Sequence, residues 1–202
     1  MEVRVVEATI HGRFLYEPRV PERLLVGFHG YAESAEKHLE EMRKIPGAER
    51  WSLAAVQGLR TFYTRGGEVV ANWMTSQDRE LAIADNLDYV RTILDSLPKP
   101  KSLVFLGFSQ GVAMAFRAAA HVRCAGLIAL GGDVPPDVRQ RALPPVLLAR
   151  GTRDDWYTEE KMKADLAALR NATPFVFEGG HEFSDAFRSA AAEFLSPIAR
   201  AL

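Results

Sequence analysis

Apolar residues in this chain fall into short, nearly unbroken runs separated by longer stretches of helical period. Arg23 to Phe28 (RLLVGF), Trp51 to Gln57 (WSLAAVQ), Leu103 to Leu106, Cys124 to Leu130 (CAGLIAL), Pro144 to Ala149 (PPVLLA) and Pro174 to Phe177 have few polar interruptions. Runs of that length and uniformity suit strands buried on both faces, as in a parallel sheet. Between them, residues 35–45, 78–97 and 158–170 have helical patterning. The second stretch (Leu81, Ile83, Leu87, Val90, Ile93, Leu94, Leu97) is stopped by Pro98 and Pro100. In the third, Thr158 is placed as a cap, and Glu159 and Glu160 favour the helix dipole. Only the amino terminus alternates. Residues 2–10 and 12–16 are expected to form an opening antiparallel hairpin that turns at His11-Gly12, with His11 a solvated loop residue. The whole reads as an α/β chain, a mostly parallel central sheet flanked by helices. With no repeats and no low-complexity linker, residues 1–202 are expected to form a single domain.

One junction stands out. Lys101 to Ala120 reads KSLVFLGFSQGVAMAFRAAA, a strand pattern that turns into an alanine-rich helix through Gly107-Phe108-Ser109-Gln110-Gly111. A serine before a helix is commonly just an N-cap. Here, however, glycines stand two residues to either side, where a Cβ would collide with the neighbouring strand or helix. Such a corner lifts the Ser109 hydroxyl above the end of the sheet and aims the first helical N–H groups at whatever it attacks. It has the form of a nucleophile elbow.

Composition narrows the alternatives. Hydrophobic residues make up 48% of the chain, enough for a substantial core, and the net charge of −1 comes from interspersed residues of both signs. No basic stripe offers itself to a phosphate backbone, so nucleic acid is not expected as a partner. The amino terminus has no signal-peptide core and no run of apolar residues is long enough to span a bilayer, so a soluble cytoplasmic protein without stable membrane insertion is expected. The single cysteine, Cys124, has no partner for an internal disulfide and is expected to be a small buried hydrophobe. No metal or cofactor motif is present, and none is expected.

The remaining loops supply candidates for the other chemical roles. After Arg23–Phe28 comes His29-Gly30-Tyr31, the early strand-to-helix loop that carries the second oxyanion N–H in hydrolases with such an elbow. Gly30 lets the backbone approach, and the N–H groups of Tyr31 and Gln110 are the expected donors. His29 precedes the nucleophile and is expected to brace the loop rather than act as base. The long stretch from Gly58 to Met74 follows a strand's carboxyl end, so Phe62, Tyr63, Trp73 and Met74 are expected to wall the substrate pocket, with Trp156 joining them; the alternative is that these aromatics pack the loop onto the body. Asp154, in Gly151-Thr152-Arg153-Asp154, is the expected acid, with Asp133 and Asp155 as rivals. His181, after Gly179-Gly180, is the expected base, while His38 and His121 sit in helical patterns and are expected to be solvated or half-buried. The chain order Ser109, Asp154, His181 is that of the α/β-hydrolases.

Taken together, Gly27-Phe28-His29-Gly30-Tyr31, Gln57-Gly58 with Trp73, the Gly-Phe-Ser-Gln-Gly elbow, Gly151-Thr152-Arg153-Asp154 and Gly179-Gly180-His181-Glu182 resemble the phospholipase/carboxylesterase family. These are small serine esterases that include the acyl-protein thioesterases. The resemblance runs from about Leu24 onward. It implies an α/β-hydrolase fold without a large cap domain, hydrolysis of small-molecule esters or thioesters, and a possible homodimer. Three departures bear on substrate. Tyr31 replaces leucine, Asp154 is followed by Asp155-Trp156-Tyr157 rather than Pro-Val-Val, and the segment after Trp73 is compact. These favour short- to medium-chain esters over a lysophospholipase or acyl-protein thioesterase activity. An amide hydrolase would use the same residues, and a catalytically silent binding module the same scaffold; a dehalogenase or epoxide hydrolase would need aspartate in place of Ser109.

Overall fold

Each apolar run becomes a strand in the computed structural model, which describes residues 1–200. In chain order the strands are β1 Phe14–Glu17, β2 Arg23–Phe28, β3 Ser52–Val56, β4 Arg60–Tyr63, β5 Val69–Asn72, β6 Ser102–Phe108, β7 Gly126–Leu130, β8 Val146–Gly151 and β9 Ala172–Phe177. The helices are α1 Ala35–Arg43, α2 Arg79–Ser96, α3 Gln110–His121, α4 Glu159–Ala168 and α5 Asp185–Arg200. Seven strands form one sheet in the order β1-β3-β2-β6-β7-β8-β9, parallel except for β1.

The unbroken apolar runs follow from this layering. Alternate residues of each strand enter two cores, one on either face of the sheet. Leu24, Val26, Phe28, Phe105 and Leu148 pack with residues of α2, α3 and α4. Leu25, Leu53, Val104, Leu106 and Leu147 pack with residues of α1 and α5. The strand order reverses between β2 and β6, whose pairing ends with Phe28 opposite Gly107. The crevice above the carboxyl ends at such a reversal is where open α/β sheets place ligands.

Three expectations change. The opening hairpin is not formed: residues 2–10 contain no strand and are exposed, and β1 starts at Phe14 and pairs with β3. The alternation of residues 2–10 has nothing to bury against, and an isolated ribbon is marginal in water. Phe14, Leu15 and Tyr16, by contrast, reach the two cores. Secondly, the stretch after β3 is not an irregular loop but holds the antiparallel hairpin β4–β5, turning through Gly67 at φ 82°. Thirdly, His38 is neither solvated nor half-buried but enclosed at 1% exposure on the α1 face that buries Ala35, Leu39 and Met42. Gly27 makes the room, since a Cβ there would lie 2.6 Å from the His38 ring. Burial pushes the His38 pKa down to about 3, and neither ring nitrogen has a hydrogen-bond partner. His11 and His121 are exposed. Cys124 is half-buried just before β7, and burial raises its thiol to about 12. Among the described residues no helix is long and apolar enough to cross a membrane.

Candidate active site

Ser109 sits between β6 and α3 with φ 53° and ψ −120°. A non-glycine residue there carries strain of about 1–3 kcal/mol, held in place by its surroundings. Its N–H donates to Leu130 O at 2.9 Å, and its carbonyl accepts from Val112 N–H at 3.0 Å. The two flanking glycines are required by contact. A Cβ on Gly107 would lie 2.5 Å from Gly111 O, and one on Gly111 would lie 2.0 Å from Phe28 O. Strand, corner and helix are thus as close as backbone permits.

The loop after β2 lies directly over this corner, a Cβ on Gly30 falling 3.2 Å from Ser109 Cβ. Several groups fix it. Gly30 N–H donates to Glu33 Oε2 at 2.9 Å, and Glu33 is tied to Ala71 by a short bridge. His29 is fully buried, and its Nδ1–H donates to Gly30 O at 2.7 Å while Nε2 accepts from Gly58 N–H at 3.0 Å. Burial holds this ring below the ordinary imidazole pKa, which suits an acceptor at Nε2. Trp73 Nε1–H donates to His29 O at 2.8 Å. His29, Gly58 and Trp73 are therefore braces for the loop. Among the described residues nothing accepts from the N–H of Tyr31 or Gln110, which leaves both able to bind an oxyanion.

The loops after β8 and β9 hold Asp154 and His181 against each other. Thr152 N–H donates to Phe177 O and Arg153 N–H to Gly179 O, each at 2.8 Å. Asp154 is 3% exposed. Its Oδ1 accepts from the N–H groups of Trp156 and Tyr157, both at 2.9 Å, and its Oδ2 accepts from His181 Nδ1–H, also at 2.9 Å. Nε2 of His181 is thereby left as the ring's acceptor. The ring lies on Phe108, with centroids 4.8 Å apart. Asp133 and Asp155 are both exposed, and neither carboxylate bonds a histidine.

A cleft of about 280 Å³ opens beside Ser109 and Gln110, with Met74 and Trp156 in its wall. Larger hollows of about 540 Å³ lie at the amino ends of the strands, far from Ser109, so size alone does not mark the site. Of the other aromatics, Trp73 is wholly buried and does not reach the cleft. Phe62, on the β4–β5 hairpin, meets the Tyr31 ring with centroids 5.8 Å apart and planes tilted by 35°, and Tyr63 is exposed. Packing of the hairpin onto the body accounts for Trp73, and of the residues expected to wall the pocket only Met74 and Trp156 line this cleft.

Several contributors escaped the sequence. Gly131, at φ 66°, lies under His181, where a Cβ would be 2.9 Å from Cε1 of the ring, and a Cβ on Gly132 would be 2.5 Å from Ser109 O. Paired glycines directly after a buried strand were the available signal. The Gln110 carboxamide accepts from Trp73 N–H and donates to Met74 O, both at 2.9 Å, joining the elbow to the cleft wall. Buried Arg117 grips Asp137 through two 2.8 Å bonds, and buried Asp165 accepts from Val134 N–H and Tyr157 O–H at 3.0 Å. These last pairs anchor the loops that carry Asp133 and Trp156, and no local pattern announced them.

The fold is that of the α/β-hydrolases. Esterase PE8 superposes with a TM-score of 0.77 at 20% identity, covering 94% of this chain and 100% of that one. Zea mays acyl-protein thioesterase 2 gives 0.73 at 19% identity, covering 94% and 100%. A phospholipase/carboxylesterase from Dyadobacter fermentans DSM 18053 gives 0.72 at 17% identity, covering 94% and 99%. No family model matches the chain, and no curated protein matches it in sequence.

Proposed function

We propose that this protein is a serine hydrolase of the phospholipase/carboxylesterase kind, cleaving esters of short- to medium-chain acids through an acyl-enzyme. The observation that supports the reading is the strained Ser109 corner together with a His181–Asp154 pair bonded at 2.9 Å, whose imidazole lies on Phe108, the residue before Ser109. The esterases and thioesterase that share the fold support it.

In this mechanism Ser109 Oγ attacks the ester carbonyl while His181 Nε2 takes its proton. The N–H groups of Tyr31 and Gln110 stabilise the oxyanion, an effect of about 2.7–4 kcal/mol per donor where measured in another hydrolase. Protonated His181, stabilised by Asp154, returns the proton to the departing alkoxide. Water then attacks the acyl-Ser109 ester by the same path in reverse roles, releasing the acid. The cleft's volume of about 280 Å³, near the lower end of small-molecule sites, supports a small acyl group.

The test is initial rates on para-nitrophenyl esters of increasing acyl length, with wild type and Ser109→Ala side by side. Ser109-dependent hydrolysis peaking at short or medium chains is expected. A peak at long chains would favour a lysophospholipase or acyl-protein thioesterase, and Ser109-independent turnover would remove the mechanism.

A further inference from the structure

The cleft beside Ser109 is lined by Met74, Val134, Pro135, Pro136 and Trp156, but it is not wholly apolar. Arg79, at the start of α2, and Lys161, in the first turn of α4, both line it, as does Asp133. Neither cation is spent on a carboxylate of the described residues. Two acids of the flanking segments are engaged elsewhere: Asp137 is held by Arg117, and Glu159 by Lys163. Lys161 is nonetheless fixed, since its ammonium donates to Trp156 O at 2.7 Å, which leaves two further N–H donors. Arg79 lies close enough to help lower the Asp137 pKa, although Arg117 is the larger cause. The walls are anchored from behind by the Arg117–Asp137 and Asp165–Tyr157 contacts. The formal balance of the three titratable side chains lining the cleft is one positive charge, two cations against one carboxylate.

We propose that this cleft selects esters bearing a second, anionic group, a carboxylate or a phosphate, which Arg79 and Lys161 bind while the ester carbonyl lies at Ser109. The proposal rests on the esterase reading and names its substrate class. Arg79 and Lys161 are specificity residues that hold the anion, and Asp133 opposes it. Charged groups along a cleft also raise the local concentration of oppositely charged substrate, an effect that salt weakens.

Two matched pairs of substrates test this and locate the anion. Mono-para-nitrophenyl adipate against para-nitrophenyl hexanoate places a carboxylate on the acyl side. Para-carboxyphenyl acetate against its methyl ester places it on the leaving group. The readout is the ratio of kcat/KM for the anionic over the neutral member, in wild type and in variants, so that intrinsic reactivity cancels. Replacing both cations (Arg79→Gln with Lys161→Gln) is expected to lower that ratio about tenfold in one of the two pairs. Asp133→Asn is expected to raise it, a gain that misfolding cannot mimic, and added salt is expected to lower it in the wild type.

An unchanged ratio in both pairs, with Ser109-dependent hydrolysis intact, would overturn the anion proposal and leave the esterase standing. Equal losses on both members of each pair would overturn it too. Absence of Ser109-dependent hydrolysis on every ester would remove both readings together.

Discussion

Asp154→Asn separates the chemistry of the acid from its structural work. The carboxylate has two jobs. Oδ1 closes the loop by accepting from Trp156 and Tyr157 N–H, while Oδ2 orients His181. Asparagine can keep its carbonyl oxygen on the two amides, so the loop should hold and the midpoint of urea unfolding should barely move. Its NH₂ would then face Nδ1 of His181 and favour the tautomer with the proton on Nε2, which cannot accept from Ser109. The equivalent change in another fold lowers kcat by about 10⁴, and a loss of that order in ester hydrolysis is expected here. Asp154→Ala differs, because it strands two N–H groups at a site 3% exposed, at a cost of about 1–3 kcal/mol for each. It should therefore lose stability as well as rate. Chemical denaturation paired with kcat for both variants is the assay. An Asn variant within tenfold of wild type would refute the assignment. Asp133→Asn causing the large loss instead would move the acid to that loop.

Other consequences follow from the same geometry. Gly111→Ala puts a Cβ 2.0 Å from Phe28 O, so it should cost about 1–3 kcal/mol or more of stability and lower kcat through displaced oxyanion donors, read by denaturation and ester hydrolysis; a stable, fully active variant would contradict the elbow packing. His38 has its folded pKa lowered to about 3, so the unfolded chain binds more protons between there and the ordinary value of 6.5. Stability present above that ordinary value should fall as pH drops through the window, by up to about 1.4 kcal/mol per pH unit from this residue. His38→Leu should flatten that part of the stability profile, and a profile that does not change would contradict the burial. With its thiol at about 12, Cys124 should react slowly with iodoacetamide at neutral pH in the folded protein, which mass spectrometry can follow; rapid labelling would contradict its burial.

Much of this candidate site was legible in the sequence because its parts obey local rules. A tight strand-to-helix corner needs glycines at Gly107 and Gly111, and an apolar run marks the strand before it. The loops of His29, Asp154 and His181 each follow the carboxyl end of such a run. What stayed hidden depends on tertiary contact. The valines of residues 2–10 have strand propensity, but only Phe14 to Tyr16 reach the cores. Trp73 reads as a pocket aromatic by position, yet its indole is committed to His29 O and buried against Phe28. Arg117 and Asp165 are polar residues inside helices; Arg117 pairs with Asp137, 20 positions away, and Asp165 accepts from Val134, 31 away, and from Tyr157, outside its own helix, so no periodicity reveals them. The cations of the cleft, Arg79 and Lys161, are far apart in the chain and read as solvated helix residues until the fold brings them beside Ser109.

The measurement that bears most directly on the central claim is covalent labelling by a fluorophosphonate, with the modified peptide mapped by mass spectrometry. One equivalent on Ser109, loss of ester hydrolysis in proportion, and no labelling of Ser109→Ala or of His181→Ala are the expected results. Hydrolysis that survives full modification of Ser109, or a label on another residue, would contradict the account.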